Sequence, residues 1–152
     1  MQKAFAETYR ITKTFNAPLG FVYKWCTDFR ENDLRMVGST TRRVMLENNR
    51  KHVVWRIVPR GAKKGIQGIR SVWLMPPNKW YLDTSGDKHL TGYYKLTRLG
   101  NSKTKLDMKF IETNVDKRKL ESPKSWEAET LAEWDAYGRC LEKDYQRHLH
   151  SR

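Results

Sequence analysis

From Phe5 to Phe15 the large apolar residues Phe5, Tyr9, Ile11 and Phe15 all fall on odd positions, with Glu7 and Lys13 between them. That is largely the period-two pattern of a half-buried strand, and it predicts a first strand over residues 4–15. Asn16-Ala17-Pro18 follows, with Asn16 as a candidate cap and Pro18 near a first helical turn. Leu19, Val22, Tyr23, Trp25 and Cys26 then recur at helical spacing. A second short helical piece, Glu31 to Met36, is expected to stop at Gly38.

Between Ser39 and Thr113 the chain alternates strand and turn. Val44 and Leu46 run into Asn48-Asn49, a pair that tolerates the positive φ of a tight hairpin. His52 to Val58 is a β-branched run containing Trp55, and Ile66 to Met75 a strand that ends at Pro76-Pro77. Trp80 to Thr84, Leu90 to Leu99 and Lys105 to Thr113 complete the series, separated by Ser85-Gly86-Asp87 and Gly100-Asn101. Closely spaced turns predict an antiparallel meander, because parallel strands need long crossovers. The pattern then changes period. After Ser122-Pro123, a cap followed by proline at the first helical position, Trp126, Thr130, Leu131, Trp134, Tyr137, Gly138, Leu141, Tyr145 and Leu149 follow one helical face. About 27 residues give a helix of about 40 Å, long enough to cross a small curved sheet.

Composition narrows the class. The chain has 152 residues with 38% hydrophobic and 12% aromatic content, which argues against intrinsic disorder. A core of this size needs no disulfide or metal staple. One domain over residues 1–152 is expected. No stretch approaches the apolar length of a membrane span and no signal-peptide pattern opens the chain, so the expectation is a soluble, cytoplasmic protein. Cys26 and Cys140 are too few and too far apart for a redox pair or a zinc site and read as buried, reduced thiols. His52, His89, His148 and His150 form no metal-ligand spacing, and no phosphate loop or nucleophile elbow is present. No metal or cofactor is expected.

The order strand, two short helices, about six antiparallel strands and a long C-terminal helix resembles that of the START-related, birch-pollen-allergen-like and polyketide cyclase (SRPBCC) superfamily. The matching residues are Ile11 to Pro18, Val22 to Trp25 with Thr27-Asp28-Phe29, Val72 to Pro77, and the helix from Trp134 to Tyr145. Where the plant-allergen branch has a glycine-rich loop, this chain has only Leu46-Glu-Asn-Asn-Arg-Lys51, which makes the bacterial and archaeal polyketide cyclase/dehydrase-like branch the closer comparison. The resemblance implies an α+β helix-grip fold: a curved antiparallel sheet of about seven strands around a long helix, with a cavity between them for an apolar ligand such as a lipid, quinone or polyketide.

Such a cavity is lined by apolar and aromatic side chains with a few orienting polar groups. Candidate lining residues are Trp25, Phe29, Trp55, Trp73, Tyr94, Phe110, Trp134, Tyr137 and Leu141, each of which could instead fill the core. Gly138 sits on the helix seam, where glycine costs about 1 kcal/mol relative to alanine, so it makes room either for a ligand or for a side chain from the sheet. Arg56, Arg70 and Asp83 lie on strands and project either into the cavity or into solvent.

Charge is the other unusual feature. The net charge is +13, and between Arg42 and Arg70 nine basic residues face a single acid, Glu47. Arg42, Arg43, Arg50, Lys51, Arg60, Lys63 and Lys64 are therefore expected to form a basic surface, suited to nucleic acid, an anionic membrane surface or an acidic protein. Three functions follow from the sequence. They are a carrier or sensor of a hydrophobic small molecule, a polyketide cyclase/dehydrase-like enzyme, and a binding module acting through the basic surface.

Overall fold

The computed structural model describes residues 3–39, 41–58, 68–86 and 89–151. Within them the strands are β1 (Phe5–Phe15), β2 (Arg42–Asn48), β3 (His52–Val58), β4 (Gly68–Met75), β5 (Lys79–Ser85), β6 (His89–Gly100) and β7 (Lys103–Asn114). The helices are α1 (Leu19–Thr27) and α2 (Pro123–His150), with single 3-10 turns at Asp33–Val37 and Lys117–Lys119. The seven strands form one antiparallel sheet in the order β1-β7-β6-β5-β4-β3-β2. Strands β2 to β7 are a meander. β1 closes the row by pairing with β7 along its whole length, from Phe5 opposite Asn114 to Phe15 opposite Thr104. Register shifts between Met45 and Glu47 and between Arg98 and Gly100 are the kind of irregularity that bends and twists a sheet.

Side-chain alternation decides which residues face the helix. On β1 Tyr9, Ile11 and Phe15 point inward; on β7 Thr104, Leu106, Met108, Phe110 and Glu112 do so. α2 lies against this concave face through Trp126, Gly138, Leu141 and Tyr145. That is the spacing of three and four expected of a buried helical seam. Tyr9 stacks on Trp126 with ring centroids 4.5 Å apart, and Phe110 meets the same indole at 4.7 Å. Polar ties reinforce the seam at its middle. Lys13 Nζ donates to Asp135 at 2.5 Å, and the backbone N–H of Asn16 donates to Glu142 Oε1 at 2.8 Å.

Several expectations change in detail. Asn16 does not cap α1; Pro18 occupies the N-cap position without a side-chain bond, and the N–H of Asn16 is taken by α2. Asn48 and Asn49 do not adopt positive φ. The β2–β3 turn is held instead by Asn49 Oδ1, which accepts from the backbone N–H groups of Lys51 and His52 at 2.9 Å each, an alternative that asparagine offers without left-handed backbone. The piece before Gly38 is a 3-10 turn rather than an α-helix, and Gly38 terminates it at φ 72°. Phe110, Leu141 and Gly138 belong to the core rather than to a cavity wall. Leu141 is fully buried and Phe110 packs on Trp126. A Cβ on Gly138 would come within 3.2 Å of Lys13 Cε and 3.3 Å of Phe15 Cε1. The missing side chain therefore makes room for the sheet, not for a ligand.

Two substitutions test this packing. Leu141→Ala is expected to lower the unfolding free energy by about 2–5 kcal/mol. At Gly92 a Cβ would lie 2.8 Å from the ring of Phe110, which is itself packed against α2. Gly92→Ala is therefore expected to cost about 1–3 kcal/mol through overpacking. Urea denaturation read by circular dichroism measures both.

Candidate functional site

Between the other end of the sheet and α2 the packing is incomplete. A cavity of about 250 Å³ is walled by Trp25 and Cys26 of α1, Phe29 after it, Trp55 of β3, Trp80 and Leu82 of β5, Tyr94 of β6, and Trp134 and Tyr137 of α2. The aromatic lining is continuous. Trp80 stacks on Tyr94 at 4.8 Å, Trp134 meets both Tyr94 and Tyr137, Trp25 meets Tyr137, and Phe29 lies on Trp55 at 4.8 Å.

Charged groups enter this wall, and most are neutralised where they stand. Arg43 donates from Nη1 to Asp33 Oδ2 at 2.6 Å and to the carbonyl of Arg30 at 3.1 Å. Its guanidinium also lies 4.8 Å from the Trp55 ring and 5.4 Å from that of Phe29, a cation–π arrangement that orders the rings. Asp144 accepts from the indole N–H of Trp25 at 2.9 Å. Asp28 is bonded to Arg30.

Arg70 is different. It lines the cavity from β4, and its Nε is buried without a hydrogen-bond partner among the described residues. Burial holds its pKa below the ordinary arginine value, and the nearby Arg43 pushes the same way while Tyr94, Tyr137 and Glu133 oppose it. A guanidinium nonetheless remains a cation. Burial likewise raises the phenol pKa values of Tyr94 and Tyr137 and the thiol of Cys26. The two phenols therefore stay protonated and can donate. Register extends the polar feature beyond Arg70. Trp55, Arg70, Thr84, Leu90 and Glu112 are successive cross-strand neighbours on the concave face. Thr84 Oγ1 and Glu112 Oε1, like Arg70 Nε, are buried with no partner in the protein. Unsatisfied buried groups are rare in native proteins and call for an explanation. Of the three, Arg70 is the one that lines the cavity, where its Nε can meet a polar ligand atom or ordered water.

The structure thus brings Trp25, Phe29, Trp55, Tyr94, Trp134 and Tyr137 together at one cavity. Trp73 is not among them. It lies on β4 with the opposite parity to Arg70, 42% exposed on the convex face, and stacks on His52 at 4.8 Å. Arg43 leaves the expected basic surface for the interior, because on β2 it shares the inward parity that places it over Trp55. Of the other residues of that surface, Arg42, Arg50 and Lys51 are exposed, and Arg60, Lys63 and Lys64 lie outside the described residues. Arg56 faces solvent. Asp83 also lies on the outer face, accepting from Thr91 and pairing with His89. Trp80 and Leu82 were not anticipated as lining residues. Their shared parity on β5 carried that signal, but only once the inward face of the neighbouring strands was known. Among the described residues no cluster of His, Cys, Asp or Glu could hold a metal ion.

Solved structures with the same architecture are numerous. The Zhui aromatase/cyclase from Streptomyces sp. superposes with a TM-score of 0.65 at 15% identity, over 95% of this chain and 96% of that one. Ara h 8.0201 gives 0.71 at 11% identity, covering 90% and 98%. A START superfamily protein from Mycobacterium smegmatis gives 0.64 at 16%, covering 92% and 97%. The chain has the helix-grip fold of the START and polyketide cyclase superfamily. No family model matches the sequence, and no curated protein matches it. At these identities the helix-grip likeness is one of backbone, and what the cavity takes must be read from its own side chains.

The Arg43–Asp33 pair is the polar clamp of this cavity wall. Asp33→Asn leaves a buried guanidinium without its counter-charge and is expected to destabilise the fold by about 3–5 kcal/mol. A urea titration that moved by less than about 1 kcal/mol would show that the stacking of Arg43 on Trp55 and Phe29 suffices by itself.

Proposed function

We propose that the protein binds a compact, planar hydrophobic molecule carrying an acidic or carbonyl oxygen, as a carrier or sensor, with Arg70 as the polar anchor. The observation that carries this reading is the unpartnered Nε of Arg70 in a wall otherwise made of aromatic rings. A guanidinium whose Nε–H is buried without an acceptor is costly in the empty protein. A ligand oxygen would recover that cost, and the phenols of Tyr94 and Tyr137 line the same cavity as further donors. Size points the same way. At about 250 Å³ the cavity lies just below the range of drug-sized sites, roughly 300–1,000 Å³, so a ring compound fits it better than a long acyl chain. The two cysteines are unbridged, in keeping with a role in a reducing cytoplasm.

A second reading is a cyclase-like enzyme, in keeping with the aromatase/cyclase among its structural neighbours. It rests on the convergence of Arg70 with two protonated phenols, which together could stabilise an enolate oxygen. Asp144, already accepting from Trp25, is the lining carboxylate on α2 that would have to take the proton. Turnover of a model β-dicarbonyl compound that is lost in Arg70→Met would favour this reading over a carrier.

The cavity carries its own reporter, since Trp25, Trp55, Trp80 and Trp134 all line it. Saturable quenching of tryptophan fluorescence is expected for naphthoate, with weaker binding of naphthalene. Arg70→Met should weaken naphthoate by about 30-fold or more, the scale of losing a buried charge partner, and leave naphthalene unchanged. The same substitution should leave the ligand-free protein at least as stable, because a buried N–H without an acceptor is removed. Absence of saturable quenching by either compound would overturn the proposal.

A further inference from the structure

The convex face of the sheet carries a second feature, unconnected with the cavity. Trp73, Tyr81 and Tyr93 are direct cross-strand neighbours on β4, β5 and β6, and they are 42%, 37% and 42% exposed. Tyr81 and Tyr93 meet edge to face at 5.7 Å, and His52 extends the row by stacking on Trp73. In the other direction the row continues into Lys109 on β7 and Arg10 on β1. One step along the strands, Met75, Lys79 and Lys95 form the next row, and Arg50 and Lys51 flank Trp73 beyond Met75.

None of Arg10, Lys79, Lys95 and Lys109 is in an ion pair among the described residues, whereas the acids of this face are engaged. Asp107 pairs with Lys105 and accepts from Thr12, and Asp83 pairs with His89. The result is a strip of half-exposed rings bordered by free cations, running across the strands from β3 to β1 for about 24 Å at the usual strand spacing. Sheet aromatics need not be exposed for stability, since the opposite face already supplies the core. Their exposure beside unpaired cations calls for a partner with flat apolar faces and regularly spaced negative charge.

We infer that this convex strip binds single-stranded nucleic acid, its bases stacking on Trp73, Tyr81 and Tyr93 and its phosphates held by Lys79, Lys95 and Lys109. Half-exposed aromatic side chains offer stacking faces to unpaired bases. A duplex keeps its base faces covered, and a lipid surface offers no flat rings to stack. The strip takes over the role that the sequence assigned to Arg42–Arg70. Of that segment Arg50 and Lys51 border it, while Arg43 and Arg70 are turned inward.

The test is fluorescence anisotropy of a labelled thymidine oligomer of about 16 nucleotides, with the intact protein. Saturable binding at about 50 mM salt is expected, falling steeply as salt rises. Tyr81→Ala and Tyr93→Ala should each weaken it about fivefold or more, with the salt slope unchanged. The triple variant Lys79→Gln, Lys95→Gln, Lys109→Gln should reduce the slope by about two. All these residues lie on the surface, and unchanged melting temperatures with unchanged naphthoate quenching separate the effect from misfolding and from the cavity. The inference is overturned by any of four results: no binding at low salt, tyrosine variants that bind like the parent, a duplex that binds as tightly, or phosphatidylserine vesicles that bind through the tyrosines while the oligomer does not compete.

Discussion

A 28-residue helix with a polar outer face can hold its place only by burying its seam, and the concave face of the sheet is the surface long enough to take it. Everything else in the molecule answers to that burial. The stack of Tyr9 on Trp126 near the start of the helix, and the fully buried Leu141 with the largely buried Tyr145 toward its end, set the distance between helix and sheet. The pairing of β1 with β7 puts Lys13 and the N–H of Asn16 where Asp135 and Glu142 can take them. The seam is tight where β1 and β7 lie under it. It opens where the helix passes β3 to β6, and there aromatic side chains span the gap without filling it.

That opening explains why charge is distributed as it is. The concave wall holds two guanidinium groups with opposite fates: Arg43, matched by Asp33 and by two rings, contributes to the wall, while among the described residues no carboxylate is bonded to Arg70. Burying a guanidinium N–H without a hydrogen-bond acceptor is costly. Its presence inside an aromatic cavity is more economically explained by a ligand than by packing. The convex face makes the complementary choice. Its cations stay in water, and its aromatic rings, with no second layer to cover them, remain partly exposed.

The two faces therefore separate two kinds of recognition on one sheet. Alternation along each strand sends successive residues to opposite sides, so Arg70 and Trp73, three positions apart on β4, serve different surfaces. The same holds for Trp80 and Tyr81 on β5 and for Tyr93 and Tyr94 on β6. A change of strand register by one residue would exchange the cavity lining with the outer strip, which ties the integrity of both to the pairing that the helix seam stabilises.

The order of elements, the antiparallel meander and the buried helix face were legible in the sequence, because periodicity and turn chemistry are local and each segment carries its own. Five of the six expected aromatic residues found at the cavity are there for the same reason, since they sit on helices and strands whose inward face is marked by aliphatic neighbours; Phe29 follows α1 and packs on Trp55. What the sequence could not decide was parity against a common centre. Trp55 and Trp73 look alike as strand tryptophans, as do Arg43 and Arg42 or Arg70 and Arg56; which one is internal depends on the register between strands far apart in the chain. Pairing of β1 with β7, across almost a hundred residues, is likewise a tertiary result, since no local signal names a distant partner. Local physics determined the parts, and the shared burial of one helix seam determined which side of each part became a site.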